Sequence, residues 1–267
     1  VSSSEPVVLV DSEDRVTTIT LNRPQARNAL SRELMNALWD AIVAAGRDDA
    51  VDVVILTGTD PAFCAGVDLK EVSGEIPASG PMRAAGNGPA RGTDGLFRFV
   101  PVIDKPLIGA INGVCVTGGL EIALQCTFLI ASDRARFADT HARLGVMPGG
   151  GMTVLAAQAI GLRRAIELSL TGNFIDADEA LRLGLVNHVV GHDELLPFAK
   201  QIAADIAGND RIGVRLLLAH YRRLANAGSL AEAHLIEGVL AETWAAGVSH
   251  VGERREAVQA RAREQLD

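Results

Sequence analysis

Basic residues, aromatic side chains, cysteines and long apolar runs are all scarce in this chain of 267 residues. Twenty-five Lys and Arg face thirty-three Asp and Glu, a net charge of −8. That balance argues against a nucleic-acid partner, whose binding rests on cationic contacts to phosphates. A local Arg or Lys can still hold a polyanionic ligand on an acidic protein. Seven Phe, two Trp and one Tyr leave the core to Ala, Val, Leu and Ile, which are plentiful at 48% hydrophobic overall. No uninterrupted apolar run is long enough to span a bilayer, so no membrane partner is expected. Residues 1–6 carry no basic segment followed by an apolar one, so no secretory leader is expected there. Cys64, Cys115 and Cys126 form no metal-like spacing; each sits in an apolar stretch and reads as a free buried thiol in a reducing cytoplasm.

What is present is an alternation of strands and helices. Val7–Val10 and Val16–Leu21 flank a polar turn and read as a hairpin. Ser31 is an N-cap candidate before Leu34, Met35, Leu38, Trp39, Ile42 and Val43 at helical spacing, ended by Gly46. Residues 51–57 and 106–111 are nearly continuous apolar runs, the pattern of strands covered on both faces. Phe128–Ala131 and Val186–Val190 read as further strands, and Thr153–Ala165 as a helix. The stretch 72–95 is rich in Gly and Pro with no apolar period, a long loop of the kind that often serves function. From residue 193 only helical patterns remain, over 193–207, 212–226, 230–246 and 251–265. The order predicts an α/β core over 1–192 and a helical region over 193–267.

Two junctions share one design. Val53–Leu69 and Leu107–Leu124 each run from an apolar strand through a small-residue turn into a helix start. Helix starts carry N–H groups without intrahelical partners, backed by the positive end of the helix dipole. Gly118-Gly119 lets a ligand approach that backbone closely, and Glu121 falls in the first turn of the helix predicted over Leu120–Cys126. Backbone donors for an oxyanion beside a carboxylate suit chemistry on a carbonyl compound.

Several segments in order resemble the crotonase (enoyl-CoA hydratase/isomerase) superfamily. They are Asn22–Leu30, Phe63–Leu69, Ile111-Asn112-Gly113 with Gly118-Gly119-Leu120-Glu121, and Leu170–Gly172 with Ala180–Val186. The resemblance implies a spiral of ββα units with a helical C-terminal region that assembles homotrimers, often paired into hexamers. It implies an acyl-CoA substrate and no metal or redox cofactor. The thioester oxygen would be held by the N–H groups of Val67 and Gly118. The CoA moiety would lie along Gln25, Arg27 and Ala29, with Ala65, Asp68 and Leu69 following the first donor loop and exposed Lys70 incidental. Glu121 matches the family's water-activating glutamate.

Two positions depart from the family pattern. The second hydratase glutamate would stand four residues after Phe137, and this chain has His141 there. Histidine titrates near neutrality and can take an acid–base role; the bland reading is that it only hydrogen-bonds Asp139 or the backbone. The last helix lacks the aromatic residue that closes over CoA, so its arginines read as a solvated face. His188, His192, His220, His234 and His250 form no metal cluster and read as structural or surface residues. The expected activity is enoyl-CoA hydration. A crotonase reaction using one carboxylate, such as isomerisation, and a silent acyl-CoA binder are the alternatives.

Overall fold

The computed structural model describes residues 5–79, 90–91, 97–225, 227–243 and 251–266. The chain forms two compact units, Val1–Gly208 and Asn209–Asp267. The first opens with the expected hairpin, β1 (Val8–Glu13) against β2 (Val16–Leu21). Helix α1 (Arg32–Arg47) follows, and Ser31 caps it by accepting a hydrogen bond from Leu34 N–H at 3.2 Å. Its buried face is Leu34, Met35, Leu38, Ile42 and Ala45, the helical spacing read from the sequence. At the other end the Lys105 ammonium, itself 1% exposed, donates to the carbonyls of Ala45 (2.8 Å) and Asp48 (2.6 Å). A cation at a helix C-terminus satisfies orphan carbonyls and complements the dipole.

Three ββα turns then succeed one another. The first is β3 (Val53–Gly58), β4 (Ala62–Cys64) and α2 (Leu69–Ser73). A two-stranded ribbon pairs β5 (Ala90–Arg91), inside the 72–95 segment read as a loop, with β6 (Phe97–Arg98) just past it; most of that segment past 79 is outside the described residues. The second turn is β7 (Leu107–Ile111), β8 (Val114–Val116) and α3 (Gly118–Leu124). The third is β9 (Phe128–Ser132), β10 (Arg136–Ala138) and α4 (His141–Leu144). Each turn sends its first strand to a six-stranded sheet and its second to a four-stranded one. The large sheet has the order β1-β2-β3-β7-β9-β12, parallel except for the hairpin.

Beyond α4 come a turn of π-helix over Met152–Ala156, α5 (Ala157–Ile160) and α6 (Leu162–Thr171). The single helix expected over Thr153–Ala165 is therefore broken, at Gly161 with φ +78°. Strand β11 (Ile175–Asp176), α7 (Ala177–Leu183) and β12 (His188–Val190) complete both sheets, the small one in the order β11-β10-β8-β4. Helix α8 (Leu195–Ala207) belongs to the first unit.

Its packing explains the continuous apolar strands. Val54, Leu56, Leu107, Ile111 and Leu129 face one core, shared with α1 and the small sheet. Alternate residues Val53, Ile55, Ile108, Ala110 and Ile130 face the other, against Leu195, Ala199 and Ala203 of α8. Side chains alternate across a strand, so a sheet covered on both faces needs apolar residues at every position. Each fully buried aliphatic side chain contributes about 1.5–3 kcal/mol.

The second unit holds α9 (Arg211–Leu224), α10 (Leu230–Thr243) and α11 (Val251–Leu266), close to the expected spans. On α11, exposed Arg254 approaches Asp210 at 3.5 Å. Among the described residues no helix is long and apolar enough to cross a membrane.

Candidate active site

Strands β4, β8 and β10 are parallel neighbours, so the three ββα turns deliver their post-strand loops side by side. The first brings Val67, the second Gly118 and Glu121, the third His141. Val67 and Gly118 adjoin: a Cβ built on Gly118 would lie 3.5 Å from the Val67 nitrogen. Gly66 turns the first loop with φ +88°, and the bridge Leu30↔Val67 anchors it through Leu30 N–H to Gly66 O (2.8 Å) and Asp68 N–H to Leu30 O (3.1 Å). That pairing leaves the Val67 N–H without an acceptor among the described residues. The Gly118 N–H, first in α3, is likewise without one.

Helix α3 starts at Gly118 rather than Leu120, which keeps Glu121 in its first turn. The glycine pair is needed for packing as well as for access. A Cβ on Gly119 would lie 2.3 Å from the Cys64 carbonyl oxygen. Glu121 is 2% exposed, and its Oε1 accepts from Gly150 N–H at 2.7 Å and Met152 N–H at 3.3 Å. Burial pushes its carboxyl above the ordinary value, and those amides and the His141 charge offset this only in part. Its Oε2 faces His141 Nε2 at 3.8 Å.

The His141 ring donates from Nδ1–H to Asp139 Oδ1 at 2.5 Å, and its own backbone N–H reaches the same oxygen at 3.2 Å. Burial depresses the imidazole, yet the Asp139 hydrogen bond and the charges of Asp139 and Glu121 outweigh it and raise His141 above the ordinary histidine value. Asp139 is held below the usual carboxylate range. Burial raises it, but the His141 ring, the nearby Ser169 hydroxyl and the His141 N–H prevail.

Glu121 and His141 line a cavity of about 370 Å³, with Thr117 and Thr140 beside them and Val67 also at its edge. Its walls are apolar: Leu69, Val72, Phe99, Leu144, Val146 and Met147. The Thr117 and Thr140 hydroxyls meet at 2.5 Å, tying the Gly118 loop to the His141 loop. A second concavity, about 240 Å³, lies among Asp11, Glu13, Asp14 and Lys200 and has no such convergence of donors.

Of the residues expected at the CoA end, Gln25 and Arg27 are exposed and Ala29 is half-buried, at and just beyond the 3-10 turn Pro24–Ala26. They adjoin the first donor loop, since Ala65 N–H donates to Arg27 O at 3.0 Å. Ala65 and Leu69 line the cavity. The buried Asp68 carboxylate is engaged by Arg23 at 3.0 Å and by Lys70 N–H at 3.2 Å. Gly150, Met152, Phe99 and the Thr117–Thr140 pair were not foreseen from sequence. Cys64 is buried and its thiol pushed up to about 12 by burial, an inert group; Cys115 is also buried and Cys126 partly so. Among the described residues no His, Cys, Asp and Glu cluster suits a metal ion. His192 bridges Asp60 and Ser132, and His188 packs edge-on to Phe198; His250 lies outside the described residues.

An α/β fold sets two unpaired backbone donors side by side, and the cavity that Val67 lines also holds a buried carboxylate and an imidazole, an arrangement that can bind an oxyanion and move protons beside it. The enoyl-CoA hydratase/isomerase family model matches residues 11–257, and the chain belongs to that family. A probable enoyl-CoA hydratase of Rhizobium meliloti is 41% identical over 204 residues, 76% of either chain. A crotonyl-CoA hydratase of Syntrophomonas wolfei is 38% identical over 210 residues, 78% of either. Among solved structures, an enoyl-CoA hydratase of Mycobacterium tuberculosis H37Rv is 47% identical with TM-score 0.72, covering 88% of this chain and 98% of that one. A monofunctional enoyl-CoA isomerase of M. smegmatis is 31% identical with TM-score 0.69, covering 86% and 98%.

Proposed function

We propose that this protein is an enoyl-CoA hydratase, adding water to a trans-2-enoyl-CoA to give a 3-hydroxyacyl-CoA. The observation that carries the reading is the convergence of the Val67 and Gly118 N–H groups with the Glu121–His141 pair. In this mechanism the thioester oxygen lies on the two N–H donors. Glu121 Oε2 takes a proton from the water whose oxygen bonds C3. Negative charge passes to the thioester oxygen, where losing one donor would raise the barrier by about 3–4 kcal/mol. His141 Nε2 then delivers a proton to C2. A buried carboxylate with a raised pKa is a stronger base than a solvated one, and a histidine with a raised pKa retains its proton near neutrality.

The CoA moiety would run along Gln25, Arg27 and Ala29, where Arg27 is free to offer its guanidinium fork to a phosphate, and past Ala65, Asp68 and Leu69. Asp68 would serve by holding that loop through Arg23. The reaction as drawn needs no cofactor. Three free thiols suit a reducing cytoplasm, and exposed apolar residues of the second unit, Ile212, Leu217, Tyr221 and Leu235, suit burial in a homotrimer or hexamer.

Loss of conjugated-thioester absorbance from crotonyl-CoA and longer enoyl-CoAs tests the reading, with Glu121→Gln and His141→Ala beside the wild type. Hydration by wild type and its loss in both variants is expected. Binding without hydration would turn the assignment to isomerisation or to a silent acyl-CoA binder. Double-bond migration from a 3-enoyl-CoA would single out the former.

A further inference from the structure

We propose that Asp139 is a positioning residue that fixes the His141 ring with Nε2–H toward Glu121 and the acyl-CoA, making His141 the proton donor of the pair. This rests on the hydratase reading. Asp139 does not line the cavity, and His141 stands between it and the pocket. Its Oδ1 holds His141 twice, by the ring Nδ1–H at 2.5 Å and by the backbone N–H at 3.2 Å. The double hold fixes ring position and tautomer together. With Nδ1 committed as a donor to a carboxylate, the one nitrogen left for chemistry is Nε2, which faces Glu121 Oε2 at 3.8 Å.

The charged groups acting on the ring are Asp139 from the loop before α4 and Glu121 from α3. Helix α6 contributes the neutral Ser169 hydroxyl near Asp139. Arg143, on the same helix as His141, turns away to Thr171 O and Asn173. An imidazole flanked by two carboxylates favours its cationic form. Glu121, whose Oε1 is already occupied by two amides, keeps Oε2 for the water proton.

The proton count then closes within the pair. Glu121 gains one proton from water as the C3–O bond forms, and His141 loses its Nε2 proton as the C2–H bond forms. Transfer from Glu121 Oε2 to His141 Nε2, directly or through one water in the 3.8 Å gap, restores both groups. Asp139 and His141 act as one unit.

The test is Asp139→Asn, read by 15N NMR of the imidazole and by the pH dependence of crotonyl-CoA hydration. In the wild type, His141 is expected as imidazolium at neutral pH. In the variant its titration and the alkaline limb of kcat/KM should move together to lower pH. At pH 8 kcat should fall on the order of 100-fold, with KM nearly unchanged, and Asp139→Glu should recover part of it. A neutral His141 in wild type would overturn the proposal even if the variant failed to fold. So would an alkaline limb that stays put while the His141 titration moves. Wild-type protein that hydrates no enoyl-CoA while His141 still titrates high would instead overturn the hydratase reading.

Discussion

Glu121 Oε2 and His141 Nε2 stand 3.8 Å apart, and their other polar atoms are fully engaged within the first unit. Glu121 Oε1 is held by the backbone of 150–152, and His141 Nδ1 by Asp139. Each group therefore presents one free heteroatom to the same space. Two proton-handling groups facing each other in this way need opposite starting states, Glu121 ionised and His141 protonated; their surroundings raise both pKa values, which favours the second.

The pH profile of hydration follows. Glu121 must be ionised to accept a proton, and burial lifts it above its ordinary 4.5, so the acid limb of kcat/KM should lie above that value. His141 must be protonated to donate; burial lowers it, but Asp139 and Glu121 lift it above 6.5, so the alkaline limb should lie above that value. The two limbs belong to the coupled pair. A single ascending limb, with full activity kept at high pH, would exclude His141 as the donor.

Stability carries the same signature with its own signs. The raised His141 contributes stability that is present below pH 6.5 and lost as pH rises through its folded-state value. The lowered Asp139 contributes stability present above pH 3.8 and lost as pH falls through its folded-state value. Thermal unfolding of wild type against Asp139→Asn should therefore differ most in the mildly acidic window between, and the difference should shrink on either side. A pH-independent difference would mean that the pair is not ionised in the folded protein.

Gly150 tests how Glu121 is held. A Cβ there would lie 2.5 Å from a Phe99 ring carbon and 2.9 Å from the Glu121 carboxyl carbon. Gly150→Ala must shift one or both. Hydrogen bonds to a charged group contribute about 1.5–3 kcal/mol, so kcat should fall roughly 10- to 100-fold with the fold intact by circular dichroism. Unchanged kcat would mean that the Gly150 N–H does not orient the carboxylate.

Much of this was legible in the sequence because it rests on local rules. Ser31 as a cap, the two-faced apolar strands and the glycine turn before Glu121 each follow from short-range chemistry. The second strands of the three ββα turns were not legible. At three residues, Ala62–Cys64, Val114–Val116 and Arg136–Ala138 are too short to show a period, and tertiary pairing makes them strands. The resemblance to the crotonases placed Val67, Gly118, Glu121 and His141 on one list, but only the adjacency of β4, β8 and β10 sets the loops that carry them side by side. The Gly150 and Met152 amides had no signal at all, since any residue supplies an N–H. Asp139, two residues before His141, did have one, and the spacing was read as the bland alternative to catalysis.

Lys105 separates stability from chemistry. Its buried ammonium closes the C-terminal end of α1 and is not among the groups assigned to the reaction or lining the cavity. Lys105→Met keeps the apolar stem but leaves the buried Ala45 carbonyl without that donor, while the Asp48 carbonyl keeps the Val51 N–H at 3.0 Å. A buried acceptor left unpaired costs about 1–3 kcal/mol, and a chain of this size loses roughly 2–4 °C of Tm per kcal/mol. Thermal unfolding should show a fall of several degrees, while kcat and KM for crotonyl-CoA, measured well below the new Tm, stay within about twofold of wild type. An unchanged Tm would mean that water or a neighbouring group takes over the Ala45 carbonyl. A lost kcat at full folding would tie the end of α1 to the pocket through β7, which begins two residues after Lys105.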